Sequence, residues 1–237
     1  KHLVLSDKKI SEKKAAIPMI LAFGAINSKL VNLGIRGFVS INVQTAEVLD
    51  THSFAVLLGV GATTINPYLV FDSIYQRYEK ELFGKLSYEE CIQRYIKSVD
   101  NGLLKIMSKM GISVLSSYRG GCNFETVGLS RAIVAEYFPG IISRISGIGI
   151  FGIQTKIKKL HKKAFQKNVS ILPIGGIYKY RKNGENHQYQ GHLIHMLQHA
   201  VTNNSYETYK KYAQGIYNLP RINLRDLLSF KNKGNRI

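Results

Sequence analysis

Residues 103–125, LLKIMSKMGISVLSSYRGGCNFE, carry the first strong indication of the fold. Leu103, Leu104 and Met107 stand at helical spacing beside Lys105 and Lys109, which reads as the end of a cationic amphipathic helix. Gly111 stops that helix, and Ile112-Ser113-Val114-Leu115 reads as a short buried strand. A helix feeding a strand is the repeating unit of an α/β domain. The polar Ser116, Ser117, Tyr118 and Arg119, followed by Gly120-Gly121, then fall where a strand ends and such folds keep ligand-facing groups.

Upstream the same alternation repeats. His2–Ser6 reads as a buried strand, and Pro18 opens a helix over Met19–Asn32 that Gly34 stops. Gly37–Gln44 alternates as a second strand, with Val39, Ile41 and Val43 set against polar neighbours. Asp50 or Thr51 can cap a short helix over Ser53–Val60, Ala62–Asn66 makes a third strand, and Pro67 begins a helix carrying Tyr68, Phe71 and Tyr75. Ser87 and Glu90 form a capping box for a long helix to about Met110. This order implies mainly parallel strands joined by right-handed crossovers.

Downstream, Glu125 is followed by short helical pieces, Ser130–Tyr137 among them, then Pro139-Gly140, the glycine-punctuated ISRISGIGIFG and a basic helix near Ile153–Lys167. A change of character near Pro173 suggests a domain boundary. Beyond it lie helices near His192–Thr202 and Ser205–Tyr217, and a short apolar one over Leu224–Phe230.

With 237 residues, 45% of them hydrophobic, the chain can bury a sizeable core. No apolar run reaches the roughly 18 residues of a membrane span. The opening Lys-His-Leu-Val-Leu-Ser-Asp has neither an initiator methionine nor a signal-peptide pattern, and reads as an excerpt of a longer chain. Two cysteines without a CxxC, Cys91 and Cys122, argue against a disulfide scaffold or a metal cluster and fit a reducing cytoplasm. The net charge of +18 raises nucleic acid as a partner. Its lysines are spread along the chain, however, with dense patches only at Lys156–Lys167 and Lys231–Arg236, and no recognised binding motif accompanies them.

Four local patterns bear on chemistry. Gly147-Ile-Gly149-Ile-Phe-Gly152 matches G-x-G-x-x-G, but the acid expected about 20 residues later is missing, which favours close packing of a turn against a helix. His192, His195 and His199 share a helical face without a carboxylate, so partly buried packing beside Met196 and Leu197 is preferred over a metal site. Cys122, after two glycines and before an expected helix, reads as a half-buried side chain at a turn rather than an activated nucleophile. The Ser116–Arg119 cluster is the best ligand-facing group by position, set against the commoner role of satisfying buried backbone groups.

MSKMGIS (107–113), SYRG (117–120), Phe124-Glu125, Gly128-Leu129, SRISGIG (143–149), LQHA (197–200), SYETYKKYA (205–213) and LRDLLSFK (224–231) occur in this order, as do LSD (5–7), IPMILA (17–22) and NPYLVF (66–71). In these segments the chain resembles the large chain of the glutamate synthase family over nearly its whole length. The resemblance implies a partial (β/α) barrel-like central domain over residues 1–172, with mainly parallel strands. A mostly helical N-terminal segment of the FMN-binding synthase domain would follow over residues 173–237.

In that family a cysteine hydrolyses glutamine, ammonia crosses an internal tunnel, and 2-oxoglutarate becomes an imine that reduced FMN converts to glutamate, with an iron–sulfur (3Fe-4S) cluster relaying electrons. The resemblance implies glutaminase and FMN-binding domains as partners, and a small subunit or ferredoxin as electron source. The catalytic cysteine and the cluster cysteines match neither Cys91 nor Cys122, so no catalytic, cofactor-binding or metal residue is carried over to this chain. It departs from the family pattern at Gly-Gly-Cys-Asn-Phe-Glu (120–125) in place of G-A-Q-I-F-E, at Asn27-Ser28 in place of a histidine pair, and at Val60 in place of a tyrosine. A stand-alone basic α/β module for anions or nucleic acid is the alternative that the charge suggests.

Overall fold

The computed structural model describes residues 1–166, 174–177 and 179–231. They fall into two compact units, Lys1–Gln166 and Lys167–Ile237. The boundary expected near Pro173 lies outside the described residues.

The first unit opens with β1 (His2–Ser6), α1 (Met19–Asn32), β2 (Ser40–Gln44), α2 (Thr51–Gly59), β3 (Thr64–Asn66) and α3 (Tyr68–Glu79). The strands form one parallel sheet in the order β1-β2-β3, with Leu5 opposite Val43 and Val43 opposite Ile65. Helical crossovers require that parallelism, because each returns the chain to the same edge of the sheet. Ile41 and Val43 of the central strand are 0% and 1% exposed and pack with Phe23 of α1 and Phe54 and Leu57 of α2. Truncating a ring such as Phe23, also 0% exposed, costs about 3–5 kcal/mol at such a site.

The long helix α4 (Tyr88–Lys109) starts at the capping box read from the sequence: Glu90 N–H donates to Ser87 Oγ at 3.2 Å, and Ser87 N–H to Glu90 Oε2 at 2.9 Å. Its inward stripe, Cys91, Tyr95, Val99, Leu103 and Met107, recurs every fourth residue. Four of these helices finish the same way. After α1, α2, α3 and α4, a residue with positive φ (Gly34, Gly61, Glu81, Gly111) donates its N–H three residues back. The residue after it donates five back, which is the Schellman arrangement.

That closure overturns the strand expected at Ile112–Leu115. Ile112 N–H is spent on Met107 O at 3.0 Å, and its side chain packs with Met107 beside Ala55 and Tyr118. The chain then turns into α5 (Leu115–Tyr118), a single helical turn that leaves Val114 and Leu115 exposed. The same economy trims β3, expected from Ala62, because Ala62 N–H closes α2 on Leu57 O. The second strand begins at Ser40 rather than Gly37, since Arg36–Phe38 form a 3-10 turn held by the Arg36 side chain.

Beyond α5 the helices expected over Ser130–Tyr137 and near Ile153–Lys167 form as α6 (Arg131–Tyr137) and α7 (Ile150–Ala164), and the chain adds two strands that the sequence reading did not give, β4 (Glu125–Leu129) and β5 (Ile142–Ile148). β4 and β5 pair in parallel with two register shifts. Two glycines hide this pair from a pattern search: Gly128 has φ +82, and a Cβ at Gly147 would run into the Gly128 backbone. Five parallel strands in two small sheets, without barrel closure among the described residues, give the mixed α/β fold that the alternation implied.

In the second unit α8 (Gly191–Thr202) and α9 (Tyr206–Tyr217) pack together across Leu193, 2% exposed, which fills the space that a side chain at Gly215 would occupy. α8 ends in the same Schellman closure, here on Asn204, and Ser205 caps α9 through Thr208 N–H. The apolar helix expected over Leu224–Phe230 is a 3-10 turn, Leu224–Leu227, that ends in extended backbone at Leu228.

Candidate functional site

Ligands of parallel α/β sheets bind at the carboxyl ends of the strands. Here those ends carry Asp7, Thr45, Glu47 and Tyr68. Asp7, 7% exposed, accepts from the Thr45 hydroxyl at 2.5 Å and from Ala46 N–H at 3.1 Å, and its charge meets the Tyr68 phenol. Burial first, then the hydrogen bond to Asp7, push the Tyr68 phenol up to about 12. Lys8 Nζ lies 5.7 Å from the centre of the Tyr68 ring.

Glu47 turns the other way and accepts Met19 N–H at 2.7 Å. That N–H is one of the donors that the start of α1 leaves unpaired, and Pro18 has no side chain to satisfy it. Burial pushes the Glu47 carboxyl above its ordinary value and the Asp7 charge adds to this, while the Met19 N–H pulls it back. The oxygens of Asp7 and one of Glu47 are thus committed to the chain's own donors. The cluster ties the ends of β1 and β2 to the starts of α1 and α3. Its chemistry is that of a clasp, with both oxygens of Asp7 engaged by donors of the chain.

The sequence singled out none of these four as a site. LSD marked a strand end, but Thr45 lies 38 residues from Asp7, and no local pattern announces that pairing.

The Ser116–Arg119 cluster serves a second clasp. Tyr118, 2% exposed, donates its hydroxyl to Ala55 O at 3.0 Å, Gly120 N–H donates to Leu58 O at 3.0 Å and Cys122 N–H to Gly59 O at 3.0 Å. Leu58 and Gly59 belong to the last turn of α2, whose carbonyls have no partner inside the helix, and Ala55 lies just before that turn. Phe124 covers Gly59 so closely that a Cβ there would overlap its ring. Ser116 and Ser117 are exposed, and Arg119 lines a small cavity.

Cys122 precedes a strand, not the helix expected, with φ +50, and burial pushes its thiol up, away from nucleophile character. Of the glycines in Gly147–Gly152, Gly147 lies on the Gly128 backbone of the neighbouring strand rather than on a helix, Gly152 lies on Ile148, and Gly149 has only Ser130 Oγ nearby among the described residues. His192, His195 and His199 are exposed rather than partly buried, because α8 buries its Leu193 and Ala200 face and turns them out. His199 Nε2 meets Asn203 Nδ2 at 2.9 Å. Among the described residues, no group of three or more His, Cys, Asp or Glu is arranged to hold a metal ion. Among them, no helix is long and apolar enough to cross a membrane.

A second polar node lies at the opposite edge of the sheet, and the sequence reading missed it. Arg36 donates from Nε to Asn27 Oδ1 at 2.6 Å, from Nη1 to Val39 O at 2.6 Å and from Nη2 to Gly61 O at 2.8 Å. Burial lowers the Arg36 pKa, and the charge of Arg119 lowers it further.

The comparisons with known proteins agree with one another. The model of the glutamate synthase central domain matches residues 1–130. The chain is 53% identical over 231 residues to the glutamate synthase [NADPH] large chain of Azospirillum brasilense, covering 98% of this chain and 15% of that protein. It is 40% identical over 238 residues to the corresponding large chain of Bacillus subtilis, covering 99% of this chain and 15% of that one. Against the ferredoxin-dependent glutamate synthase of Cyanidium caldarium it is 38% identical over 242 residues, 97% of this chain and 16% of that protein. The chain therefore spans about 15% of the length of the curated relatives it matches. With the matched family model covering more than half of its residues, the chain belongs to the glutamate synthase central domain family.

Proposed function

We propose that this chain is a structural and coupling segment of a glutamate synthase, the enzyme that transfers the amide nitrogen of glutamine to 2-oxoglutarate and reduces the product to glutamate. Its place is between the glutaminase and flavin sites, where it spaces them and helps to wall the path of ammonia. The observation that carries this reading is the family match over residues 1–130, together with relatives aligned to 97–99% of the chain.

The state of the polar groups supports a structural role. Asp7 and Glu47 are engaged by the chain's own donors, and Tyr118, Gly120 and Cys122 close a helix end. The same proposal divides the chain into the latter part of the central domain, residues 1–172, and the N-terminal segment of the FMN-binding domain, residues 173–237. It assigns no catalytic, cofactor-binding or metal residue to the segment. FMN and an iron–sulfur cluster belong to the complete enzyme, with the glutaminase and FMN-binding domains as partners and a small subunit or ferredoxin as the electron source. The two free cysteines suit a reducing cytoplasm.

Purification of the chain alone tests the division of labour. It should carry no flavin absorbance near 450 nm, roughly where oxidised flavins absorb, and release no ammonia from glutamine. Either signal at stoichiometric level would overturn the reading.

A further inference from the structure

Arg36 sits at the amino edge of the sheet, away from the Asp7 clasp, with three of its N–H groups bound to Asn27, Val39 and Gly61. A guanidinium has five, so one on each terminal nitrogen is still uncommitted. These bonds fix the plane of the group and leave those two N–H groups for a ligand.

The cavity beside it has a volume of about 320 Å³ and is lined by Arg36, Gly37, Ser40, Thr63 and Arg119 among others. Arg119 is brought there by the α2 clasp: Gly120 N–H is anchored on Leu58 O, and the Gly120 Cα stands close enough to Gly61 to be the neighbour of any side chain placed there. Thr63 Oγ1 accepts Ile41 N–H at 3.2 Å, so its own proton is free to donate. Two guanidinium groups thus share one small cavity. Among the described residues, no carboxylate forms an ion pair with either of them. Like charges held together repel, and an oxyanion between them converts that repulsion into two charge-assisted hydrogen-bonding contacts.

We propose that Arg36 and Arg119, with the Thr63 and Ser40 hydroxyls, form a binding site for a small oxyanion, a carboxylate or phosphate group on a compact molecule. The volume lies at the small end of ligand cavities, with room for inorganic phosphate or a short dicarboxylate. The inference draws on geometry and charge alone and stands apart from the proposed place of the chain in a larger enzyme.

Calorimetric titration of the 237-residue chain with inorganic phosphate and, separately, with succinate tests it, at an ionic strength held constant with chloride. We expect saturable one-site binding of at least one anion, and the stronger of the two identifies the chemistry. Arg119 is exposed and holds no neighbour in place, so Arg119→Ala should fold and weaken binding at least tenfold. Arg119→Lys keeps the charge but loses the fork, and should bind at least threefold more weakly than the unaltered chain. Lys162→Ala/Lys163→Ala on α7 controls for general positive charge and should bind as the unaltered chain does. Failure of both anions to saturate, unchanged affinity in Arg119→Ala or Arg119→Lys, or an equal loss in the α7 control would each overturn the site.

Discussion

At the residue scale, the carboxylates at the sheet's carboxyl edge make their environment measurable. Tyr68 is held neutral by burial and by Asp7, so its phenol should ionise near 12. In a spectrophotometric titration at roughly 295 nm, Tyr68→Phe should remove one late-ionising component, and loss of a component at the ordinary tyrosine value near 10 would contradict the arrangement. The sign follows from the raised value. Any stability that Tyr68 adds over Phe is complete below the ordinary phenol pKa and declines as pH rises from there through about 12. Glu47 is also raised, so the native state holds its proton more tightly than the unfolded chain does. Its share of stability is greatest below the ordinary carboxylate range and falls as pH climbs through the raised value. Glu47→Gln should remove that decline, seen as a urea midpoint at about pH 7 that rises relative to the midpoint at about pH 4 when set against the unaltered chain. These roles were not legible in the sequence, because Asp7 meets Thr45, and Met19 meets Glu47, only after the strands have paired.

At the scale of elements, the helices were legible because their ends are chemical. Ser87 and Glu90 announce α4, Asp50 announces α2, and Gly34, Gly61 and Gly111 announce where helices stop. The capping box can be weighed directly: Ser87→Ala should cost about 1 kcal/mol of unfolding free energy in urea, and no change would show that the cap is idle. Glu81 is the exception among the helix ends, an L-residue at φ +55 in the place where the others use glycine or asparagine. Glu81→Gly removes the left-handed strain and should stabilise the chain by roughly 0.5–1 kcal/mol, net of glycine's freedom in the unfolded state, read as a higher urea midpoint. Strands were harder to read. Ile112–Leu115 has strand composition, yet the closure of α4 takes the Ile112 N–H first. β4 and β5 lack a clean alternation because Gly128 and Gly147 bring two backbones together and the register shifts twice along the pair.

At the scale of the molecule, the alternation of strands and helices carried the mixed α/β class, and the quoted segments carried the family. The position of Arg119 beside Arg36 was beyond reach, since it depends on a loop of the SYRG turn docking on a helix more than fifty residues earlier, as Tyr118 does on Ala55 at a separation of 63. The central claim is that this chain couples two sites it does not itself contain. A hybrid large chain tests it most directly: the matching 231 residues of the Azospirillum brasilense glutamate synthase are replaced by this chain, and the flavin-loaded product is assayed with glutamine and 2-oxoglutarate. The account predicts glutamate formation with little free ammonia released. A folded, flavin-loaded hybrid that hydrolyses glutamine but loses its nitrogen to solution, or that makes no glutamate, would contradict it.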